Sequence, residues 1–129
     1  MAEKKLLLGD EAIASERYMP AYRGICYPGT PSTEITEFIQ NNPLAKERKL
    51  HSTWCTNEKT AMEAALGMSY AGKRALVCMK HVGMNVAADA FVNSAITGVN
   101  GGWWCWLPMI LPCIRHRTNR IHAFMENLL

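Results

Sequence analysis

One acidic residue stands where a carboxylate could do chemistry. Glu58 opens the segment N-E-K-T-A-M-E-A-A-L-G-M, whose body consists mainly of alanine, glycine and methionine. An acid in the first turn of a helix commonly stabilises the helix dipole or its cap. A carboxylate there can also hydrogen-bond a flat ligand that lies against a wall of small residues. Periodicity alone leaves both interpretations open.

Two other polar segments follow short apolar runs. Lys80 and His81 come directly after residues 75–79, a run of the length that a buried strand needs. Thr30 lies in P-G-T-P-S, where it can cap a helix that has Pro31 at its first position. That loop is interpreted either as a well-capped turn or as a helix N-terminus at the carboxyl end of a parallel strand, where open α/β sheets bind ligands.

Predicted strands and helices alternate along the chain and would position these side chains. Strands are predicted at residues 24–27, 51–55 and 75–79, and helices at residues 31–41, 57–72 and 85–96, with a further helix beginning at residues 9–14. The central helix buries a face of Ala61, Ala64, Ala65, Leu66 and Met68 and ends at Gly72, and the last has an inner side of Val86, Ala87, Ala90, Phe91, Ser94 and Ala95. This order predicts an open, mostly parallel α/β sheet with helices on both faces, followed by an irregular C-terminal tail.

Composition limits the class of protein. A chain of 129 residues with 49% apolar residues is one small domain or a piece of a larger protein. The net charge of +3 and the absence of a basic stripe interleaved with aromatics argue against a nucleic-acid surface. Five cysteines without a C-x-x-C pair favour a reduced, cytoplasmic setting over disulfides or a zinc site. We expect no metal site, because His116 and His122 have no partner cluster, and no signal peptide within residues 1–8.

Four segments carry a specific family resemblance. They are G-D-E-A-I-A, Y-P-G-T-P-S-T-E-I, N-E-K-T-A-M-E-A-A-L-G-M-S-Y-A-G and M-K-H-V-G-M-N-V-A-A-D, in that order. Together they resemble the N-terminal pyrimidine-binding domain of the alpha subunits of indolepyruvate:ferredoxin oxidoreductases, a family of thiamine-diphosphate-dependent 2-oxoacid:ferredoxin oxidoreductases. The resemblance covers residues 4 to about 102, with one gap at residues 15–23.

The resemblance implies roles for individual residues. In that family a glutamate at the start of the helix after the second strand hydrogen-bonds the aminopyrimidine ring of thiamine diphosphate and promotes its imino form. Glu58 occupies that position, and Gly29 and Thr30 are expected beside the cofactor or the carboxylate of the 2-oxoacid. Lys80 and His81 are expected to face the same cleft. A solvated surface lysine and a loop histidine bonded to backbone are the structural alternatives for these two.

The family also implies what lies elsewhere. A second domain holds the diphosphate through a magnesium ion, and iron–sulfur clusters are expected only in the missing part, because the chain has no cysteine run for them. The beta subunit and ferredoxin are the expected partners of the intact enzyme, which oxidatively decarboxylates aryl pyruvates to acyl-CoA. We expect this chain alone not to turn over substrate.

The chain departs from the family pattern at residues 15–23 and after Gly102, where W-W-C-W-L-P-M-I-L-P-C-I-R begins. When each codon is re-read as its third base and the first two bases of the next, both stretches can spell family-like sequence. The re-read codons that begin with the third base of Trp103 and of Trp104 can then encode only valine. The re-read codon that joins Met109 to Ile110 can encode only aspartate. We therefore interpret residues 1–102 as a partial domain and residues 103–129 as a frame-shifted tail.

Three classes of function follow from these observations. The chain is either a fragment of the oxidoreductase alpha subunit, an inactive remnant, or a small binding or membrane-surface module that uses its tryptophan-rich tail. The apolar run of residues 103–114 is too short and too interrupted by proline to span a bilayer, so no membrane insertion is expected. We expect the first residues of the tail to occupy the strand that the family has there, because they are apolar in either frame.

Sequencing of the gene through residues 103–120 tests the frame-shift hypothesis. We expect the neighbouring frame to encode an acidic, serine-rich loop that begins with apolar residues. Codons at these positions that do not spell such a loop would end the hypothesis.

Overall fold

The computed structural model describes Ala14 and residues 22–107. The rest of the helix predicted from residue 9, most of the irregular patch at residues 15–23, and residues 108–129 with Cys113, His116 and His122 lie outside the described residues. Ala14 is helical and buried. The elements run in the order β1 (Tyr22–Cys26), α1 (Thr33–Asn41), α2 (Pro43–Glu47), β2 (Ser52–Trp54), α3 (Glu58–Tyr70), β3 (Arg74–Cys78), a 3₁₀ turn (His81–Gly83), α4 (Met84–Thr97) and β4 (Trp103–Trp106).

Within the described residues the strands form one parallel sheet in the order β2-β1-β3-β4. Cys26 of β1 is in register with Trp54 of β2 on one side and with Cys78 of β3 on the other. The chain moves outward from β1 to β2 and then returns to the opposite side of β1 to form β3. Loops after β1 and β3 therefore meet at a switch point of the strand order, the place where such sheets form a crevice.

Alternate strand residues pack into two apolar layers, one on each face of the sheet. On one face Leu76 and Cys78 pack with α1 and α2, through Ile35, Ile39 and Ala45. On the other face Ala75 and Val77 pack with α3 and α4. Side chains in a strand alternate between faces, so a continuous apolar strand implies burial on both sides. The predicted parallel sheet with helices on both faces is confirmed.

The loop before α1 differs from its prediction. Ser32, not Thr30, occupies the N-cap position, and no side-chain hydrogen bond caps the helix there. The prediction that Thr30 caps the helix is therefore wrong. Its hydroxyl lies two positions before the N-cap residue and outside the first turn, from where a capping side chain acts.

A short helix was missed after α1. No helix was predicted between residue 41 and the next strand, but Pro43 begins α2, and the Asn42 side chain accepts a 2.9 Å hydrogen bond from the Leu44 N–H. A proline at the first position of a helix loses no hydrogen bond, because that N–H has no partner within the helix. The same two residues therefore end one helix and begin the next.

Helix α3 has well-formed ends. The Asn57 side chain accepts a 2.8 Å hydrogen bond from the Thr60 N–H and caps the N-terminus. At the other end Gly72 has a φ of 75°, and the N–H groups of Gly72 and Lys73 donate to the carbonyls of Ser69 and Met68. This is a Schellman motif, which requires a residue with positive φ. The predicted end of the helix at Gly72 is confirmed.

Helix α4 buries only part of its predicted inner side. Ala87, Ala90 and Ser94 are buried, but Val86 is 52% exposed and Phe91 is 37% exposed. Ala95 is also exposed. The prediction of these last three as inner residues is wrong, because α4 is apolar on more than one face and periodicity did not show which face meets the sheet.

The first residues of the predicted tail form a strand. β4 pairs in parallel with β3, with Ala75 opposite Trp103 and Cys78 opposite Trp106. The ring of Trp103 also meets Phe91 edge to face, with centroids 6.2 Å apart. The expectation that the tail begins by filling this strand is confirmed.

None of the described helices combines the length and the apolar character that crossing a bilayer requires.

Two glycines give opposite predictions for stability. Gly101 is buried, and a methyl group there would overlap the carbonyl of Lys73, whereas Gly67 in α3 has open space around it. Gly101→Ala should lower the free energy of unfolding by about 1–3 kcal/mol through overpacking. Gly67→Ala should raise it by up to about 1 kcal/mol, because alanine favours helix. Urea unfolding measures the free energy of unfolding of both variants. Equal changes in the two variants would contradict the described packing around Gly101 and Gly67.

The cap of α3 provides a second stability prediction. Asn57→Ala should lower the free energy of unfolding by about 1 kcal/mol, because the Thr60 N–H loses its acceptor. Asn57→Ser, which restores an acceptor, is the matched control and should stay within a few tenths of a kcal/mol of the unchanged chain. If the two variants unfold at the same urea concentration, the cap does not contribute.

Candidate functional site

The candidate site lies at the carboxyl edge of the sheet, where the loops after β1 and β3 meet. A methyl group built on Gly29 would lie 3.0 Å from Cβ of Lys80, so the two backbones approach closely. The Tyr27 N–H donates to the Cys78 carbonyl at 3.2 Å, which continues the strand pairing into the two loops. These contacts bring the predicted site residues Gly29 and Lys80 together.

Hydrogen bonds fix the loop after β1. The Gly29 N–H donates to the Thr33 hydroxyl at 2.9 Å, and the Gly29 carbonyl accepts from the Ser32 N–H at 2.8 Å and from the Ser32 hydroxyl. Ser32 is buried, and Thr30 is exposed at the tip of this loop. These bonds hold the residues on either side of Thr30, whose neighbour Gly29 lies against Lys80.

Glu58 begins α3, and its side chain reaches the turn after β3. A methyl group on Gly83 would lie 2.5 Å from Cγ and 2.6 Å from Oε1 of Glu58, so the carboxylate lies directly against this glycine. Asn57 performs the capping, and no described residue pairs with the half-buried Glu58 carboxylate. The structure therefore gives Glu58 no side-chain capping bond. Its acidic group is available to a ligand at this edge.

Two alanines of the expected wall of small residues are not available to a ligand. Ala61 and Ala65 have no exposed surface and pack within the core between α3, α4 and the sheet. That part of the prediction is wrong, because small residues on a core-facing helix let the sheet and the neighbouring helix approach closely. The group that Glu58 contacts is Gly83, on the far loop.

The turn His81–Gly83 connects Lys80, which lies against Gly29, with Gly83, which lies against Glu58. The Gly83 N–H donates to the Lys80 carbonyl at 2.8 Å and closes the turn. His81 is half-buried, and its Nδ1 is buried without a hydrogen-bond partner among the described residues. Lys80 is half-buried and has no acidic partner in the described part of the chain. One short turn thus carries a cation and an imidazole, and it also contacts Glu58.

A bridge of charged side chains joins the helices on either side of this turn. Lys59 Nζ lies 3.4 Å from a carboxylate oxygen of Asp89 in α4 and 3.9 Å from Glu63 one turn along α3. All three groups are substantially exposed, so the energy of the bridge is small. The printed partners of Lys59 are thus Glu63 and Asp89, and Glu58 is not one of them.

Two cysteines, Cys26 and Cys78, are the last residues of β1 and β3, next to the loops of the candidate site. A hydrogen bond from Cys78 lowers the pKa of Cys26 against the opposing effect of burial, and the Thr36 hydroxyl also donates to Cys26 Sγ. Burial, with a smaller contribution from Cys26, raises the pKa of Cys105 to about 12 and also raises that of Cys55. Cys105 therefore stays protonated at neutral pH. None of the four described cysteines forms a disulfide within the described residues.

Sequence reasoning missed Gly83 as a member of the site. The segment K-H-V-G was noted for its lysine and histidine, and the glycine received no role. A glycine close after a buried strand is a signal for close approach of another group. Which group approaches depends on α3 packing across the sheet next to α4, and no local pattern specifies that.

Together these residues offer a carboxylate and an ammonium at one edge of the sheet. The carboxylate can accept a hydrogen bond from a ring nitrogen, or donate one when it is protonated. Lys80 can attract an anionic group. Among the described residues, no three of the His, Cys, Asp and Glu side chains are grouped so that they could hold a metal ion.

Comparisons with known proteins agree on one family. No protein-family model matches the chain. The chain is 48% identical over 103 residues to the indolepyruvate oxidoreductase subunit IorA of Pyrococcus horikoshii, covering 78% of this chain and 15% of that protein. It is 44% identical over 132 residues to the subunit of the same name from Thermococcus kodakarensis, covering 98% and 20%. The Archaeoglobus fulgidus subunit is 43% identical over 106 residues, covering 78% and 17%.

A solved structure shares the fold. A 2-oxoglutarate:ferredoxin oxidoreductase from Magnetococcus marinus, solved with 2-oxoglutarate, coenzyme A and succinyl-CoA bound, superposes with a TM-score of 0.61 at 18% identity. The superposition covers 81% of this chain and 17% of that chain.

The chain spans about a fifth or less of the length of the curated relatives. With this identity to them, it belongs to the family of indolepyruvate oxidoreductase alpha subunits.

Proposed function

We propose that this chain is the pyrimidine-binding part of a thiamine-diphosphate-dependent 2-oxoacid:ferredoxin oxidoreductase, and that Glu58 hydrogen-bonds the aminopyrimidine ring. One observation carries the proposal. The Glu58 carboxylate lies against Gly83 at the carboxyl edge of the sheet, and no described side chain pairs with it. Its oxygens are not among the buried, unpaired polar atoms of the described residues, so they reach solvent and a ligand that binds at this edge can reach them.

The residues at this edge fit an aminopyrimidine. A flat heterocycle with ring nitrogens needs an acid placed for an in-plane hydrogen bond, and Glu58 provides one from a capped helix terminus. When bound, thiamine diphosphate supplies the electron sink for decarboxylation of a 2-oxoacid. The protein's part is to hold the ring and to exchange a proton at the Glu58 carboxylate.

Lys80, His81 and Thr30 are proposed to face the 2-oxoacid. A 2-oxoacid carries a carboxylate, and Lys80 is a cation without an acidic partner among the described residues. Gly29 permits Lys80 to lie close to the loop that presents the Thr30 hydroxyl. The Nδ1 of His81 is buried and has no hydrogen-bond partner within residues 22–107, so the proposed contact with the substrate falls to the half-exposed remainder of the ring.

Other parts of the enzyme would complete the reaction. The described residues offer no carboxylate cluster for magnesium, so we propose that a second domain holds the diphosphate. Relatives are named as subunits, and we propose a beta subunit, ferredoxin and iron–sulfur clusters as the remaining components. The proposed overall reaction is the oxidative decarboxylation of aryl pyruvates to acyl-CoA in the cytoplasm.

Calorimetric titration of the chain with thiamine diphosphate and magnesium chloride tests the proposal. We expect saturable binding that Glu58→Gln weakens about tenfold or more, because a hydrogen bond to a charged group is lost. Glu63→Gln, an exposed acid on the same helix, is the matched control and should bind as the unchanged chain does. A folded chain without saturable binding would contradict the proposal and favour the inactive remnant, as would equal weakening by both substitutions.

A further inference from the structure

We infer that Gly83 is a positioning residue for Glu58, because the missing side chain at Gly83 provides the space that the Glu58 side chain occupies. The inference rests on the proposed function of Glu58 as the group that binds the aminopyrimidine. It adds a residue outside the predicted site, on a different loop from Glu58 and 25 positions later in the chain.

The space at Gly83 is already filled by Glu58. A methyl group there would lie 2.5 Å from Cγ, 2.6 Å from Oε1 and 2.9 Å from Cδ of Glu58. Carbon atoms that are not bonded to each other pack at about 3.5–4.0 Å. A side chain of any size at position 83 therefore excludes Glu58 from its observed place.

Backbone conformation does not explain the glycine. Gly83 has φ −65° and ψ −19°, which every L-residue adopts readily. Gly72 and Gly98, by contrast, have φ values of 75° and 70°, so those two positions favour glycine for its conformational freedom. The requirement at Gly83 is one of space, and the space is taken by one acidic side chain.

An added methyl group would displace Glu58 rather than the turn. Gly83 is buried, its N–H donates to the Lys80 carbonyl at 2.8 Å, and α4 begins at the next residue. The Glu58 side chain has three rotatable bonds and no partner among the described residues that would hold it elsewhere. The expected consequence of Gly83→Ala is an intact fold with the carboxylate moved off the sheet edge.

A double-mutant cycle on cofactor affinity tests this inference. Gly83→Ala should weaken thiamine diphosphate binding about tenfold or more, as Glu58→Gln does. The combined variant should be no weaker than Glu58→Gln alone, because the carboxylate that Gly83 positions is already gone. Gly67→Ala, the same change at an open position of α3, should leave the affinity unchanged. Additive losses in the combined variant would overturn the inference.

Thermal unfolding separates positioning from a role in folding. Gly83→Ala should shift Tm by no more than a few degrees, since a flexible side chain can move aside. If Gly83→Ala does not fold, Gly83→Ala combined with Glu58→Ala decides the question, because alanine at position 58 has no atoms beyond Cβ. Recovery of folding in that pair supports the inference, and a pair that also fails to fold overturns it.

A measurement without cofactor keeps the two proposals distinguishable. In the free chain, nuclear Overhauser effects should join the γ-protons of Glu58 to the α-protons of Gly83, and Gly83→Ala should abolish the contact between these two sites. If the effects are present but no cofactor binds, the proposed function fails while the contact stands. If cofactor binds with Glu58-dependent affinity but the effects are absent, the inference about Gly83 fails alone.

Discussion

The parallel pairing of β1 with β3 sets the geometry of the sheet and of the candidate site. It places two strands side by side that are separated in the chain by α1, α2, β2 and α3. Since both strands run the same way, the loops that follow them must emerge at one edge. Gly29 can meet Lys80 only because Cys26 and Cys78 are in register. The site is therefore a consequence of strand order, and the individual loops add the chemistry.

Helices on opposite faces of the sheet bring Glu58 to the loops after β1 and β3. Helix α1 leaves β1 on one face, and α3 packs with α4 on the other. The N-terminus of α3 is thus carried across to the loop that precedes α4, where Glu58 meets Gly83. The cap made by Asn57 fixes the first turn, and the Lys59–Asp89 pair joins the two helices without engaging Glu58. An acid without a partner among the described residues is left at the carboxyl edge of the sheet.

Local patterns predicted much of this architecture. The short apolar runs became β1 and β3, the strand predicted at residues 51–55 became β2, and the three-and-four spacing after Asn57 became α3. A continuous apolar strand and a one-sided helix each have a distinct periodicity. Where two local signals competed, prediction failed. Ser32 took the cap position expected of Thr30, and Pro43 began a helix as well as ending one. The inner side of α4 was misassigned, since Val86 and Phe91 are as apolar as the residues that the core selected.

Residue type, spacing and motif predicted most of the strands and helices and the family to which the chain belongs, and they directed attention to Glu58, because these are properties of the chain read in order. Packing in three dimensions was needed to show that Ala61 and Ala65 face the core and that Gly83 is the residue against which Glu58 lies. Such contacts join residues that are distant in the chain, and they depend on how helices cross the sheet. No local pattern specifies that packing, because it is selected by the combined shape of both apolar layers.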